Sequence, residues 1–215
     1  MSLNANIGLL SDPDKADRIF GITRGIEKEG LRIDLTGHLS ISEHPKCLGS
    51  ALTHPNITTD FSEALLEFIT EPSSSISDVM AQLSEIHQIA YQHLDQELLW
   101  ASSMPCQLGE EESIPIGQYG SSNIGMMKTI YRRGLGHRYG RHMQTIAGIH
   151  YNFSVPDSLW EDLKKAAKNT QSLKDFKSAG YFGLIRNFRR YSWLLLYLLG
   201  AAPAVCRSFV QNQNH

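Results

Sequence analysis

Three cysteines in 215 residues, Cys47, Cys106 and Cys206, are too few and too scattered for a disulfide framework or a thiolate zinc site. They read as reduced thiols. Charge of one sign is missing too. Twenty basic against 22 acidic residues leave a formal charge of −2, so the balance points neither to nucleic acid nor to an anionic membrane. The richest apolar stretch, Trp193–Cys206, is too short to span a bilayer and is broken by Gly200 and Pro203, which makes it a buried helix end. Residues 1–18 carry Asp12, Asp14 and Asp17 without a sustained apolar core, so no secretory signal is expected and the chain is placed in the cytoplasm. Neither G-x-x-x-x-G-K-[ST] nor G-x-G-x-x-G occurs, so any ATP site is of another kind. No internal repeat and no low-complexity tract is present. With 41% hydrophobic and 20% charged residues, the remainder is ordinary for a globular chain able to bury a core.

Residues 22–35 alternate charge with aliphatics and end at the turn signal Thr36-Gly37, predicting a strand that pairs with a short second strand around His38–Ile41. Residues 58–70 suit either a helix, with Asp60, Glu63 and Glu67 on one face, or a bulged strand. From Ile76 to Trp100 an apolar stripe (Val79, Met80, Leu83, Ile86, Ala90, Leu94, Leu98) predicts a helix preceded by Pro72 and capped from Ser73–Ser75. Residues 123–141 predict a second helix. Residues 146–155 alternate as a half-buried strand, with Gly148, His150, Asn152 and Ser154 on a polar face. Asp157 is expected to cap a helix over 158–168, and a long helix follows over 173–199. Strands mixed with long helices, without a βαβ rhythm, predict an α+β fold.

Glu27 and Glu29 are two apart, so on a strand both project from one face with Cα atoms roughly 6–7 Å apart. Carboxylates held that way repel unless a cation sits between them, and oxygen donors favour hard ions such as Mg²⁺ or Mn²⁺. The plainer reading is a solvated strand face. Asp60, Glu63 and Glu67 form a second acidic set inside an apolar segment, where acids are rarely buried unless paired or metal-bound. His150 lies mid-strand, where a lone histidine is more often structural than ligating. Two acidic clusters and one imidazole on separate elements could still converge on one sheet face. The basic run from Lys128 to His142, with Tyr131 and Tyr139 interleaved, is better explained as an anion clamp or a solvated helix than as an RNA-binding helix.

RGIEKEGLRI at 24–33, HPKCLGSALTHPNITTDFSEALLEFITEP at 44–72, SMPC at 103–106, QYGSSNIGMMKTIYRRGLGHRYGRHMQTIAGIHYNFSVP at 118–156 and GYFGLIRNFRRYSWLLLYLLGAAPAVCRSF at 180–209 resemble, in that order, the gammaproteobacterial-type glutamate–cysteine ligases. The resemblance implies a glutamine-synthetase-like core whose curved antiparallel sheet carries metals on its concave face. It favours the bulged strand over the helix for 58–70. It also implies divalent-metal positions at Glu27, Glu29, Asp60, Glu67 and His150. Phe61, Tyr131, Leu135, Gln144 and Ile146 fall around a cysteine pocket, and Arg132 matches a basic position near the substrates. The implied substrates are L-glutamate, L-cysteine and ATP, with Mg²⁺ or Mn²⁺ as cofactor and neither nucleic acid nor membrane as partner.

Family members are substantially longer, and their later part supplies further ligands and arginines. The expected organisation is therefore a lead segment over 1–20 and, over 21–215, the front portion of a catalytic domain that is cut off before the site is complete. Two other readings are a carboxylate–amine ligase using a different amine, and a non-catalytic truncated product that binds metal or pairs with a partner through an apolar patch around Phe182 and Trp193.

Overall fold

The alternating segment Thr23–Asp34 forms β1, the central strand of the computed structural model, which describes residues 8, 11, 18–105, 107–200, 204 and 206–210. The lead segment, apart from residues 8, 11 and 18–20, lies outside the described residues, as do Cys106 and residues 211–215. The chain divides into two compact units, Gly25–Asn152 with Ala204–His215, and Met1–Arg24 with Phe153–Pro203.

In the first unit β2 (Ile57–Thr59) and β3 (Leu65–Ile69) form a tight antiparallel hairpin, with Thr58 opposite Glu67. This corrects both readings of 58–70: the backbone is extended rather than helical, but as two strands joined by a turn and not as one bulged strand. Residues 60–64 are a turn, closed by Leu65 N–H to Ser62 O (2.9 Å) and Asp60 N–H to Leu65 O (3.0 Å). β3 pairs antiparallel with β1, placing Leu31 opposite Leu65 and Glu29 opposite Glu67. β4 (Glu97–Leu99) closes antiparallel on the far part of β1, giving the order β2-β3-β1-β4, and β5 (Ile149–Ser154) also pairs with β1. The short strand expected at 38–41 is reduced to an isolated bridge between Ile33 and Leu39 after the Gly37 turn, where φ is +89°.

Period-two alternation sends Leu66 and Phe68 to one face of β3. There they meet Leu83, Ile86 and Ala90 of α1 (Ile76–Tyr91), and Leu48, Ile57 and Leu94 complete the cluster. Ser75 caps α1 by accepting from Asp78 N–H (3.2 Å). The helix ends at Tyr91, short of the expected Trp100. Asp95 has φ +46°; Leu94 of the stripe still reaches the core, from a turn, but Leu98 is exposed and its strand neighbour Leu99 packs on the cluster instead. Arg32, almost fully buried, ties the β2–β3 turn in place. Its guanidinium donates to the carbonyls of Ser42 (2.8 Å), Glu43 (3.0 Å) and Glu63 (3.0 Å) and pairs with Glu97. α2 (Asn123–Tyr139) is capped by Ser122, and a 3₁₀ turn (His142–Thr145) packs against it. Cys47 is free and exposed, but Cys206 is disulfide-bonded, so the reading of all thiols as reduced is corrected. Spacing along the chain does not reveal such an approach.

In the second unit α3 (Asp157–Ala166) packs on α4 (Leu173–Leu199) through Trp160, whose ring lies 5.0 Å from Tyr181 and 6.2 Å from Phe176. Pro156, not Asp157, occupies the α3 cap position, and Asp157 pairs with Lys177. Two burial expectations fail. Every residue of β5 is exposed, and α4 has no buried residue, with Leu199 82% and Trp193 60% exposed. The alternation and the helix are as expected; no layer among the described residues covers them. No helix among the described residues is long and apolar enough to cross a membrane.

Phe68 is wholly buried, with its ring 4.5 Å from that of His87. Phe68→Ala is expected to lower unfolding free energy by about 3–5 kcal/mol, read from urea titration. A loss below about 1 kcal/mol would show that the β3–α1 contact is not the core of this unit.

Candidate metal centre

Because Glu29 and Glu67 stand directly opposite each other on β1 and β3, their side chains leave the same face of the sheet. Glu27, two residues earlier on β1, shares that face. β5 brings a third contributor: Glu29 N–H donates to Gly148 O (3.0 Å), while Gly148 N–H donates to the Glu29 carboxylate (2.6 Å). Two residues on, the His150 Nδ1–H donates to Glu27 Oε2 (3.0 Å), and its Nε2 lies 3.9 Å from Glu29 Oε1. Glu27, Glu67 and His150 each offer one ligand atom within 4.8 Å of the others. Engaging Nδ1 with a carboxylate leaves Nε2 as the ring's lone-pair donor, the usual orientation device for a metal-binding imidazole.

Electrostatics binds the same residues into one group. Burial, followed by the charges of Asp60, Glu29 and Glu27, pushes the Glu67 carboxyl up to about 7. Glu29 is also raised, by burial first, against the opposing Gly148 N–H bond and with Asp60 adding repulsion. His150 is raised chiefly by its bond to Glu27. Four crowded carboxylates and one imidazole form an oxygen-rich donor set that a hard divalent cation would neutralise more effectively than protons. The residues present fit Mg²⁺ or Mn²⁺.

Of the five residues singled out from the sequence as metal positions, Glu27, Glu67 and His150 lie together and Glu29 adjoins them at His150 Nε2, while Asp60 is linked to them only through the effect of its charge on Glu29 and Glu67. Glu63 does not join them. It is buried, and its carboxylate accepts from the backbone N–H groups of His44 (2.6 Å) and Gln118, holding the loop beneath the hairpin. Of the second set, the Phe61 ring is buried against Gly136 of α2, where a Cβ would come within 3.3 Å of it. Tyr131 and Leu135 lie one turn apart on α2, the first exposed and the second half-buried. Arg132 donates through Nε to the Asp60 carbonyl. Gln144 is in the 3₁₀ turn and Ile146 caps it, both half-buried. Sequence reasoning passed over Asn152, whose amide donates to Glu27 Oε1 (3.0 Å), although its place on the His150 face of the strand was a usable signal. It also passed over Tyr119, for which no local pattern gives warning.

The Glu67 carboxyl holds its proton up to about pH 7 in the folded, metal-free chain but only to about its ordinary 4.5 when unfolded. That stabilising difference is complete below 4.5 and is lost as pH rises through 7, and the raised His150 acts with the same sign. In chelator, the thermal midpoint is expected to fall between about pH 5 and pH 8, and Glu67→Gln should flatten the fall. Equal slopes in the two proteins would remove Glu67 as its source.

A glutamate–cysteine ligase family model matches residues 7–215. The chain is 58% identical over 206 residues to a glutamate–cysteine ligase of Saccharophagus degradans, covering 96% of this chain and 39% of that protein. It is 54% identical over 213 residues to one of Alcanivorax borkumensis, covering 99% and 41%. It thus spans about two fifths of the length of the curated relatives it matches. Among solved structures it is similar to a glutamate–cysteine ligase of Francisella tularensis in complex with AMP, with TM-score 0.81 and 39% identity over 90% of this chain and 38% of that one. It is also similar to a bifunctional glutathione synthetase of Pasteurella multocida, with TM-score 0.78 and 34% identity over 89% and 25%. An α+β sheet carrying clustered acids, together with this likeness over almost its whole length, makes the chain a member of the glutamate–cysteine ligase family.

Proposed function

We propose that this chain is the front portion, over residues 21–215, of a cytoplasmic ligase that joins the γ-carboxylate of L-glutamate to the amine of L-cysteine at the expense of ATP. A carboxylate is a poor electrophile until one of its oxygens becomes a phosphate leaving group, so the reaction passes through γ-glutamyl phosphate before the amine attacks. The observation that carries the reading is the opposed Glu29–Glu67 pair with His150 closing over it. Glu27, Glu29, Asp60, Glu67 and His150 hold Mg²⁺ or Mn²⁺, with Glu27 orienting the imidazole. A metal held there would supply positive charge to offset that of the transferring phosphoryl group, the main requirement of phosphoryl transfer. Phe61, Tyr131, Leu135, Gln144 and Ile146 bound the cysteine side chain, and Arg132 supplies a fixed positive charge beside the substrates. An apolar pocket separates a thiol from its isosteres by only about 1–3 kcal/mol, so discrimination among amines is incomplete.

Coverage of two fifths of its relatives, and the bare faces of β5 and α4, support a second reading for the chain taken alone. It binds metal without turnover and presents Phe182, Trp193 and Leu196 to the polypeptide that completes the site. ADP release with glutamate, cysteine, ATP and Mg²⁺ is then expected at background. Robust cysteine-dependent release would eliminate this reading.

Completing the chain with the remaining length of the Saccharophagus degradans relative should give turnover. In that protein Glu27→Gln or Glu67→Gln is expected to lower kcat by about 10²-fold or more. Near-normal kcat at saturating Mg²⁺ would remove these glutamates from the metal centre.

A further inference from the structure

Asp60 is the one member of the acidic group that sits in a turn rather than on a strand, and beyond its own N–H bond to Leu65 O its placement draws on groups outside the hairpin. Its carbonyl receives two donors from distant parts of the chain: the Tyr119 hydroxyl (2.9 Å) and the Arg132 Nε–H. The one hydroxyl proton is shared with the Thr59 carbonyl (2.8 Å), and the phenol oxygen accepts from Thr59 Oγ1 (2.9 Å). The Tyr119 ring in turn forms the floor under two cations, with the Arg132 guanidinium 4.6 Å and the Lys128 ammonium 5.2 Å from its centroid. One buried phenol therefore touches the backbone of the acidic turn with its tip and the basic face of α2 with its ring.

Tyr119 itself is held in place. It is 5% exposed, and the Gly117 backbone approaches its hydroxyl so closely that a Cβ there would lie 3.0 Å from it. A Cβ at Gly125, in the first turn of α2, would overlap the Tyr119 carbonyl outright. Gly117 is tied to both sides, donating to Phe61 O (2.9 Å) and accepting from Thr129 Oγ1 (3.1 Å). Burial pushes the phenol up to about 12, so it stays a protonated donor across the working pH range.

We propose that Tyr119 is a positioning residue that sets Asp60 and Arg132 relative to each other, so that an acid of the metal centre and a cation beside the substrates move as one piece. The inference rests on the metal reading above. It concerns two groups on different elements: without the hydroxyl the ring still lies under Arg132, and the Asp60 carbonyl keeps the Arg132 Nε–H but loses its second donor. Tyr119→Phe keeps the ring under Arg132 and removes the bond to Asp60.

Calorimetric titration of Mn²⁺ into the 215-residue chain tests this, with Ser40→Ala as a control that removes a buried hydroxyl contact to Glu97 away from the acidic group. Tyr119→Phe is expected to raise the Mn²⁺ Kd by about tenfold or more, with Ser40→Ala within about twofold of wild type. Wild-type binding that Tyr119→Phe leaves within about twofold would overturn the inference alone, as would equal weakening by both variants. Absence of Mn²⁺ binding in the wild-type chain would overturn the metal reading and this inference together. Should Tyr119→Phe fail to fold, Arg132→Gln, which removes the other donor to the same carbonyl, must weaken Mn²⁺ comparably; unchanged affinity would refute the joint.

Discussion

Two glutamates facing each other across the middle of an antiparallel sheet form the constraint around which the rest of this unit is arranged. Glu29 and Glu67 occupy directly opposed positions, where like charges disfavour the pairing of their strands. The neighbouring hydrophobic pair, Leu31 opposite Leu65, and the α1 cluster on the reverse face hold the register in spite of that repulsion. A slip of one residue would turn Leu66 and Phe68 out of the core, so the apolar face fixes where the acids stand. The repulsion is then stored where β5 can reach it, and the raised Glu67 and Glu29 carboxyls are its electrostatic expression.

The surroundings of that pair divide into firm and bare parts. Asp60, Phe61 and Arg132 are anchored by buried hydrogen bonds, by the Tyr119 ring and by close backbone approaches to Gly117 and Gly125. β5 and α4, by contrast, present aromatic and aliphatic side chains that nothing described covers. A helix carrying this much exposed apolar area gains most of its stability only when that area is buried.

Much of this was legible in the residues. The alternation of 22–35 marks β1, Ser73–Ser75 mark the start of α1, and 173–199 is bounded as the structure has it. The E-x-E spacing placed two acids on one face without any knowledge of a partner strand. Residues 58–70 were not decided that way, because acids at i, i+3 and i+7 in an apolar segment satisfy both a helix and a bulged strand, and the turn that makes a hairpin of them carries no glycine or proline to announce it. The α1 stripe ran too far for a related reason: Leu94 is a core residue but reaches the core from a turn, and Leu98 kept the helical spacing while lying exposed on a strand.

What the sequence by itself determined is local. Side-chain periodicity of 2 or 3.6, capping serines and turn glycines follow from the backbone geometry of neighbouring residues, and they establish the α+β make-up and the acidic face of β1. Only the tertiary structure decided that Glu67 joins Glu29 while Glu63 turns inward to two backbone amides. It alone brought His150 to Glu27, put Tyr119 under Arg132, bonded Cys206 in a disulfide and left β5 uncovered. Each of those depends on residues more than ten positions apart in the chain, and the free energy of such contacts is set by packing and desolvation that no local pattern encodes.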